Sequence, residues 1–152
     1  MSKMKIAVAC DHGGLNLKNK IKEYLQEKGY EIVDFGTNSR ESCDYPDFAL
    51  PAAEAVAEGY CERGIIFCTT GIGVSIVANK VPGIRCALCH HLTDAEMTRR
   101  HNDANVLALG EKAVDERTAL KMVEIFLATE FEGGRHKLRV DKITGIEKKY
   151  SK

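Results

Sequence analysis

Residues 65–80 read Ile65-Ile66-Phe67-Cys68-Thr69-Thr70-Gly71-Ile72-Gly73-Val74-Ser75-Ile76-Val77-Ala78-Asn79-Lys80. An apolar run ending in a cysteine reads as a buried strand, the hydroxyls and two glycines as a turn, and the rest as a short helix ended by Asn79 and Lys80. A helix starting there leaves N–H groups without intrahelical acceptors, and its positive end favours anions. Cys68 stands beside that end, so its thiol is a candidate base or nucleophile. The ordinary reading of a cysteine at a strand end is a small buried hydrophobe. Thr69-Thr70-Gly71-Ile72-Gly73 is not a P-loop, because no Gly-Lys-Ser/Thr follows, and it is not the dinucleotide fingerprint. It offers backbone able to close on a ligand oxygen, an oxyanion hole beside the cysteine.

The same alternation extends in both directions. Upstream, Lys5 to Cys10 is a short apolar strand broken by Asp11-His12-Gly13-Gly14, and Leu15, Ile21 and Leu25 recur at helical spacing. Gly29 ends that helix, residues 31–35 make a second strand, and residues 36–47 form a polar loop carrying Tyr45-Pro46. A helix over Phe48 to Glu58 leads into the Cys68 strand. Downstream, Val81-Pro82-Gly83 precedes a fourth strand over Ile84 to Cys89. Thr93 or Asp94 caps a helix running toward His101, Val106 to Gly110 is a fifth strand, and Ala119 to Leu127 is an amphipathic helix. Gly133-Gly134 precedes Arg135-His136-Lys137-Leu138-Arg139, and a last charged helix carries Ile143 and Ile146. Five apolar strands alternating with helices predict an α/β fold, a three-layer α/β/α sandwich around a five-stranded parallel, Rossmann-like sheet.

The 152 residues fit one domain, residues 1–152, with a real core. Its 22 basic and 22 acidic side chains cancel, which argues against nucleic acid as a partner. No apolar segment approaches transmembrane length and the opening residues lack a signal peptide's apolar core, so no membrane is expected and a cytoplasmic protein is. Six scattered cysteines then read as reduced thiols. Cys86-Ala87-Leu88-Cys89-His90-His91 matches half a zinc site and the haem-attachment signature. Without a second ligand pair or export, both readings fail, and on a strand residues three apart face opposite ways.

Ligands of such sheets bind beyond the C-terminal strand ends, at a topological switch point. Asp11-His12, Cys68 to Gly73 and His90-His91 fall at that rim. His101-Asn102 lies one helix farther along and could reach that rim across a subunit boundary. Asp11 and His12 can orient a hydroxyl or phosphate, or serve as cap and surface histidine. His101 is a candidate proton carrier near a helix end. Arg135 and Arg139, four apart, share a helical face and can clamp a phosphate; such pairs are usually solvated surface.

With these residues in view, the chain resembles the ribose-5-phosphate isomerase B family, which includes galactose-6-phosphate and allose-6-phosphate isomerase relatives. The signatures are Asp11-His12-Gly13-Gly14, Asp44-Tyr45-Pro46, Cys68 to Gly73, Ser75, Ala78-Asn79-Lys80, Pro82-Gly83-Ile84-Arg85, His101-Asn102-Asp103-Ala104-Asn105, and Gly133-Gly134-Arg135 with Arg139. The resemblance implies a homodimer, with a tetramer left open, whose shared sites interconvert an aldose phosphate and its ketose through an enediolate. It implies no metal and no cofactor. Carried over, Cys68 matches the proton acceptor, His101 the ring-opening acid, and Thr70 goes with them as catalytic. Asp11, His12 and Asn102 match sugar contacts; Thr69, Gly71, Ile72 and Gly73 the anion hole; Arg135 and Arg139 the phosphate clamp. The substrate implied is ribose 5-phosphate, with ribulose 5-phosphate as product, in the pentose phosphate pathway. Two departures bear on the sugar: Thr69 stands where relatives commonly carry Gly, and His90-His91-Leu92-Thr93 replaces a loop with serine and tyrosine. The alternatives are a related sugar phosphate, allose or galactose 6-phosphate, or a non-catalytic phospho-ligand or flavin binder.

Overall fold

The computed structural model describes residues 3–151. In chain order the elements are β1 (Lys5–Cys10), a 3-10 turn (His12–Gly14), α1 (Leu15–Glu27), β2 (Glu31–Asp34), α2 (Pro46–Ala57), β3 (Arg63–Cys68), α3 (Ile72–Asn79), β4 (Cys86–Leu88), α4 (Leu92–Asn102), β5 (Val106–Gly110), α5 (Glu116–Ala128) and α6 (Arg135–Tyr150). The strands form one parallel sheet in the order β2-β1-β3-β5-β4. The three-layer α/β sandwich expected from the alternation is what forms.

Side chains alternate across each strand, so the sheet divides its residues between two layers. Ile6, Val8, Cys10, Ile65, Phe67, Leu107 and Leu109 face one layer with α1 and α5, to which α4 adds Ala95. Ala7, Ala9, Ile66, Cys68, Val106 and Ala108 face the other, against α2 and α3. The second layer is built from small residues, Ala49, Ala52, Ala53 and Ala55 of α2 among them. Cys86 packs with this layer and Cys89 with the first, so the two thiols of the C-x-x-C stretch lie on opposite faces.

Several boundaries differ from expectation. The second helix starts at Pro46 rather than Phe48, because proline at the first helical position is pre-set in φ and its missing N–H would have had no partner there. The cap of α4 is His91, not Thr93 or Asp94: the Asp94 carboxylate accepts the N–H groups of His90 and His91 at 3.3 and 3.2 Å, acting from the third helical position. Helix α5 starts three residues before Ala119, where Asp115 accepts the Thr118 N–H at 2.7 Å. β4 covers only Cys86–Leu88, because the Asn79 amide brackets Cys86 with bonds of 2.9 and 2.8 Å and Asn105 takes the Arg85 N–H at 2.8 Å. Side chains thus tie the end of this edge strand where ladder bonds would otherwise be.

One ion pair fixes the loop that reaches over the sheet's C-terminal rim. Lys18, wholly buried on α1, donates to Asp34 at 2.6 Å and to Asn38 at 3.2 Å, while Lys22 reaches the same Asp34 oxygen at 3.0 Å. The Gly36 N–H takes the other oxygen at 2.8 Å. Burial pushes the Asp34 carboxyl up, but the lysines and this amide outweigh it and hold it below the usual carboxylate range. Asp34→Ala leaves Lys18 buried without its nearest counter-charge, and should lower the unfolding free energy by about 3–5 kcal/mol in a denaturant titration. The wild-type contribution is complete above about pH 4, the unfolded carboxylate value, and is lost as pH falls from there through the lower folded one. An acid limb of stability identical in wild type and Asp34→Ala would remove the pair from this role.

Candidate active site

From β1 the chain crosses to β2 on one side, and β3 takes the other, so the C-terminal ends of β1 and β3 flank a topological switch point. Cys10 pairs with Phe67, which puts Asp11 and Cys68 side by side at the rim. Asp11 is buried and accepts the Gly13 N–H at 2.9 Å, opening the 3-10 turn. His12 accepts the Cys43 N–H on Nδ1 at 3.2 Å, so a neutral ring carries its proton on Nε2. Cys68 is buried, and its sulfur accepts the Gly71 N–H at 3.1 Å. The Ile72 N–H goes to the Thr70 hydroxyl at 3.2 Å. Two of the expected anion-hole amides are therefore directed within the turn, one of them at the candidate base.

Glycine is required where backbones crowd this turn. Gly71 has φ +81°, and a Cβ on Gly110 would lie 2.4 Å from the carbonyl of Thr70. Tyr45 lies over the turn's other side, since a Cβ on Gly73 would come within 2.7 Å of its ring. Together Asp11, Tyr45, Cys68, Thr69, Thr70, Ile72, Gly73 and Ile76 line a cleft of about 420 Å³.

His101, Asn102, Arg135 and Arg139 are elsewhere. Helix α4 starts after the C-terminal end of β4 and runs back to the start of β5, so His101, in its last turn, lies at the opposite edge of the sheet from Cys68. There it stacks on His136, ring centroids 4.1 Å apart and planes 10° apart, with Glu132 beside both. Arg135 and Arg139 open α6 next to this pair, both exposed. One chain therefore divides the expected site residues into two groups: Asp11, His12 and residues 68–73 at one edge, and His101, Asn102, Arg135 and Arg139 at the other. A separate cavity of about 540 Å³ lies between β4 and α6 and includes Asn102 but not Cys68. The smaller cleft is the candidate centre, because Cys68, Asp11 and the glycine turn converge there.

A model of the ribose/galactose isomerase family matches residues 6–143. The chain belongs to that family. It is 47% identical over 145 residues to ribose-5-phosphate isomerase B of Escherichia coli, which covers 95% of this chain and 97% of that one. The solved Clostridium thermocellum ribose-5-phosphate isomerase B superposes with a TM-score of 0.96 at 58% identity, over 97% of this chain and all of that one. The Mycoplasma genitalium enzyme, solved with ribulose 5-phosphate bound, gives 0.91 at 43% identity, over 95% and 96%.

Beside the residues expected for this isomerase fold, four further side chains flank the two groups: Cys43 and Tyr45 at the rim, Glu132 and His136 at the far edge. Tyr45 stood in the Asp44-Tyr45-Pro46 signature, and the Glu132–His136 spacing of four was available. Nothing in the sequence announces that both lie against His101. Gly110→Ala should force Thr70 away from the cleft while the rest of the fold holds. Misplacement of about 1 Å can cost roughly 10²-fold, so isomerase kcat should fall by that order with an unchanged circular dichroism spectrum. Undiminished turnover in Gly110→Ala would show that the Thr70 position is unimportant.

Proposed function

We infer that the chain is an aldose–ketose isomerase that interconverts ribose 5-phosphate and ribulose 5-phosphate. The observation that carries the reading to chemistry is the Gly71 N–H directed at the Cys68 sulfur at 3.1 Å, beside Asp11. Proton removal next to a carbonyl needs a base in reach and donors at the developing oxyanion, and one turn supplies both. In this proposal Cys68 takes the C2 proton of the open-chain aldose. Thr70 and the amides of Thr69 and Gly73 hold the enediolate oxygen, joined by those of Gly71 and Ile72 as these turn from Cys68 and Thr70; the hydroxyl proton passes from O2 to O1, and the carbon-bound proton returns at C1 to give the ketose. His101 protonates the ring oxygen of the cyclic sugar to open it, Asp11, His12 and Asn102 hold hydroxyls, and Arg135 and Arg139 clamp the phosphate. No cofactor enters these steps. Turnover on five- and six-carbon aldose phosphates, measured side by side, tests the sugar: ribose 5-phosphate should be preferred over allose and galactose 6-phosphate.

The chain works, in this proposal, as one cytoplasmic domain that pairs into a homodimer with shared sites. Helix α6 buries only His136 and Val140 in its own chain and exposes Leu138, Ile143 and Ile146, and α3 exposes Ile72 and Ile76 beside the Cys68 turn. Joining the two surfaces about a twofold axis would cover apolar side chains and bring His101 of one chain to Cys68 of the other.

Cys68→Ala and His101→Ala should each lose about 10²–10⁴ of turnover. Equimolar subunit exchange between them should recover about a quarter of wild-type activity, since half the dimers are mixed and each has one intact site. A mixture that exchanges and stays inactive would place both residues in one chain's site. Arg139→Ala should raise KM for the phosphorylated sugar roughly ten- to hundredfold, the equivalent of about 1.5–3 kcal/mol for a charge-assisted contact. Equal damage to weak activity on the free sugar would make this arginine structural.

A further inference from the structure

The far-edge cluster carries chemistry that isomerisation does not use. Glu132 is held between α5 and α6 by its own N–H, which donates to the Arg100 carbonyl at 3.1 Å. Its Oε2 faces the Arg100 guanidinium at 3.6 Å, which leaves Oε1 toward the two imidazoles, 3.4 Å from His136 Nε2 and 3.9 Å from His101 Nε2. One donor atom from each of the three residues lies within 4.8 Å of the other two. A tetrahedral zinc ion with bonds of about 2.1 Å spaces its ligands about 3.4 Å apart, so the set closes when the two stacked rings rotate until their planes meet at the ion. Two imidazoles and one carboxylate, with further positions open, suit zinc and similar divalent ions.

We propose that His101, Glu132 and His136 form a reversible binding site for a divalent transition-metal ion of the zinc class, and that its occupation withdraws His101 from sugar-ring opening. The second half rests on the role assigned to His101 above; the first does not. The ion takes no part in turnover and acts as an inhibitor. The Arg100 contact supports the carboxylate from behind, as outer partners of metal ligands do. Glu132 is exposed and His101 half-buried in one chain, and in the proposed dimer the cluster borders the shared cleft, from which an ion would reach it.

The test uses the intact protein and Zn²⁺ or Co²⁺ alone. Calorimetry should find one Zn²⁺ site per chain, weakened at least about tenfold by Glu132→Gln and by His136→Gln. Glu132→Gln changes an exposed side chain isosterically, so it separates ligand loss from unfolding. The Co²⁺ spectrum should show nitrogen and oxygen ligation without the thiolate charge-transfer absorption that the cysteines would give. The double variant His90→Gln/His91→Gln should bind as wild type does. Zn²⁺ should inhibit wild-type turnover, EDTA should restore it, and Glu132→Gln should resist the ion. No binding, a thiolate signature, or wild-type affinity retained in Glu132→Gln and His136→Gln would overturn the site. Binding that the variants abolish, with turnover indifferent to Zn²⁺, would leave the site standing and overturn the withdrawal of His101, and with it His101 as the ring-opening acid.

Discussion

The distance imposed by α4 governs the rest of the molecule. In a parallel sheet the crossover helix carries the chain from the C-terminal rim back to the N-terminal edge, and the 11 residues of α4 span about 16 Å. The candidate base, Cys68, lies at the end of β3 and the candidate proton carrier, His101, at the end of that helix, so the fold itself puts them at opposite edges. No rotamer change within one chain can bridge this. The proposed shared site is the geometric answer, and it gives the thinly packed α6 a function: the helix carries the arginines and presents apolar side chains to a second copy.

A second constraint acts at the Cys68 rim, where three strand ends and their loops crowd one turn. Gly14 must be small because a Cβ there would lie 2.7–2.9 Å from Phe67, and Gly110 because one would lie 2.4 Å from Thr70. The Glu111 and Lys112 N–H groups donate to the carbonyls of Cys68 and Thr69 at 3.0 Å, so the segment after β5 holds the catalytic turn from beneath. Positioning of this kind comes from backbone contact, and it leaves Thr69 and Thr70 exposed toward the cleft. Thr69 fits against Gly13: a Cβ on that residue would overlap the Thr69 hydroxyl. A methyl and a hydroxyl therefore enter the cleft next to Asp11, and selection between sugars acts through such lining groups.

Much of this was legible in the sequence, for identifiable reasons. Apolar period and glycine punctuation placed all five strands, because strands buried on both faces are short, continuous apolar runs. Boundaries slipped where a side chain captured backbone groups out of register, as Asp94 does for His90 and His91, or where Asn79 and Asn105 tie the end of an edge strand. The separation of His101 from Cys68 followed from counting elements. The meeting of Glu132, His136 and His101 did not, because it depends on how the segment after α5 folds back on the end of α4, which no local pattern records.

The cysteines show how position rather than residue type decides chemistry. Burial pushes the thiols of Cys10 and Cys89 up to about 12, and those of Cys61 and Cys86 up as well. Cys10 and Cys89 face backbone carbonyls, at 3.5 Å on Thr37 and 3.9 Å on Ala87, contacts in which sulfur must be the donor and keep its proton. Cys68 is buried too, yet its sulfur is an acceptor, from the N–H of Gly71 in a left-handed conformation. That reversal comes from the turn: Thr69 and Thr70 fold the chain back so that the Gly71 N–H meets the end of the preceding strand, and the φ of +81° at Gly71 then turns it into α3. A side chain at residue 71 would be strained at that φ and would also meet Leu88 and the backbone of Leu109 and Gly110 at 2.6–3.0 Å. The chemistry of Cys68 is thus set by a residue with no side chain, three positions away and pinned by the neighbouring strand.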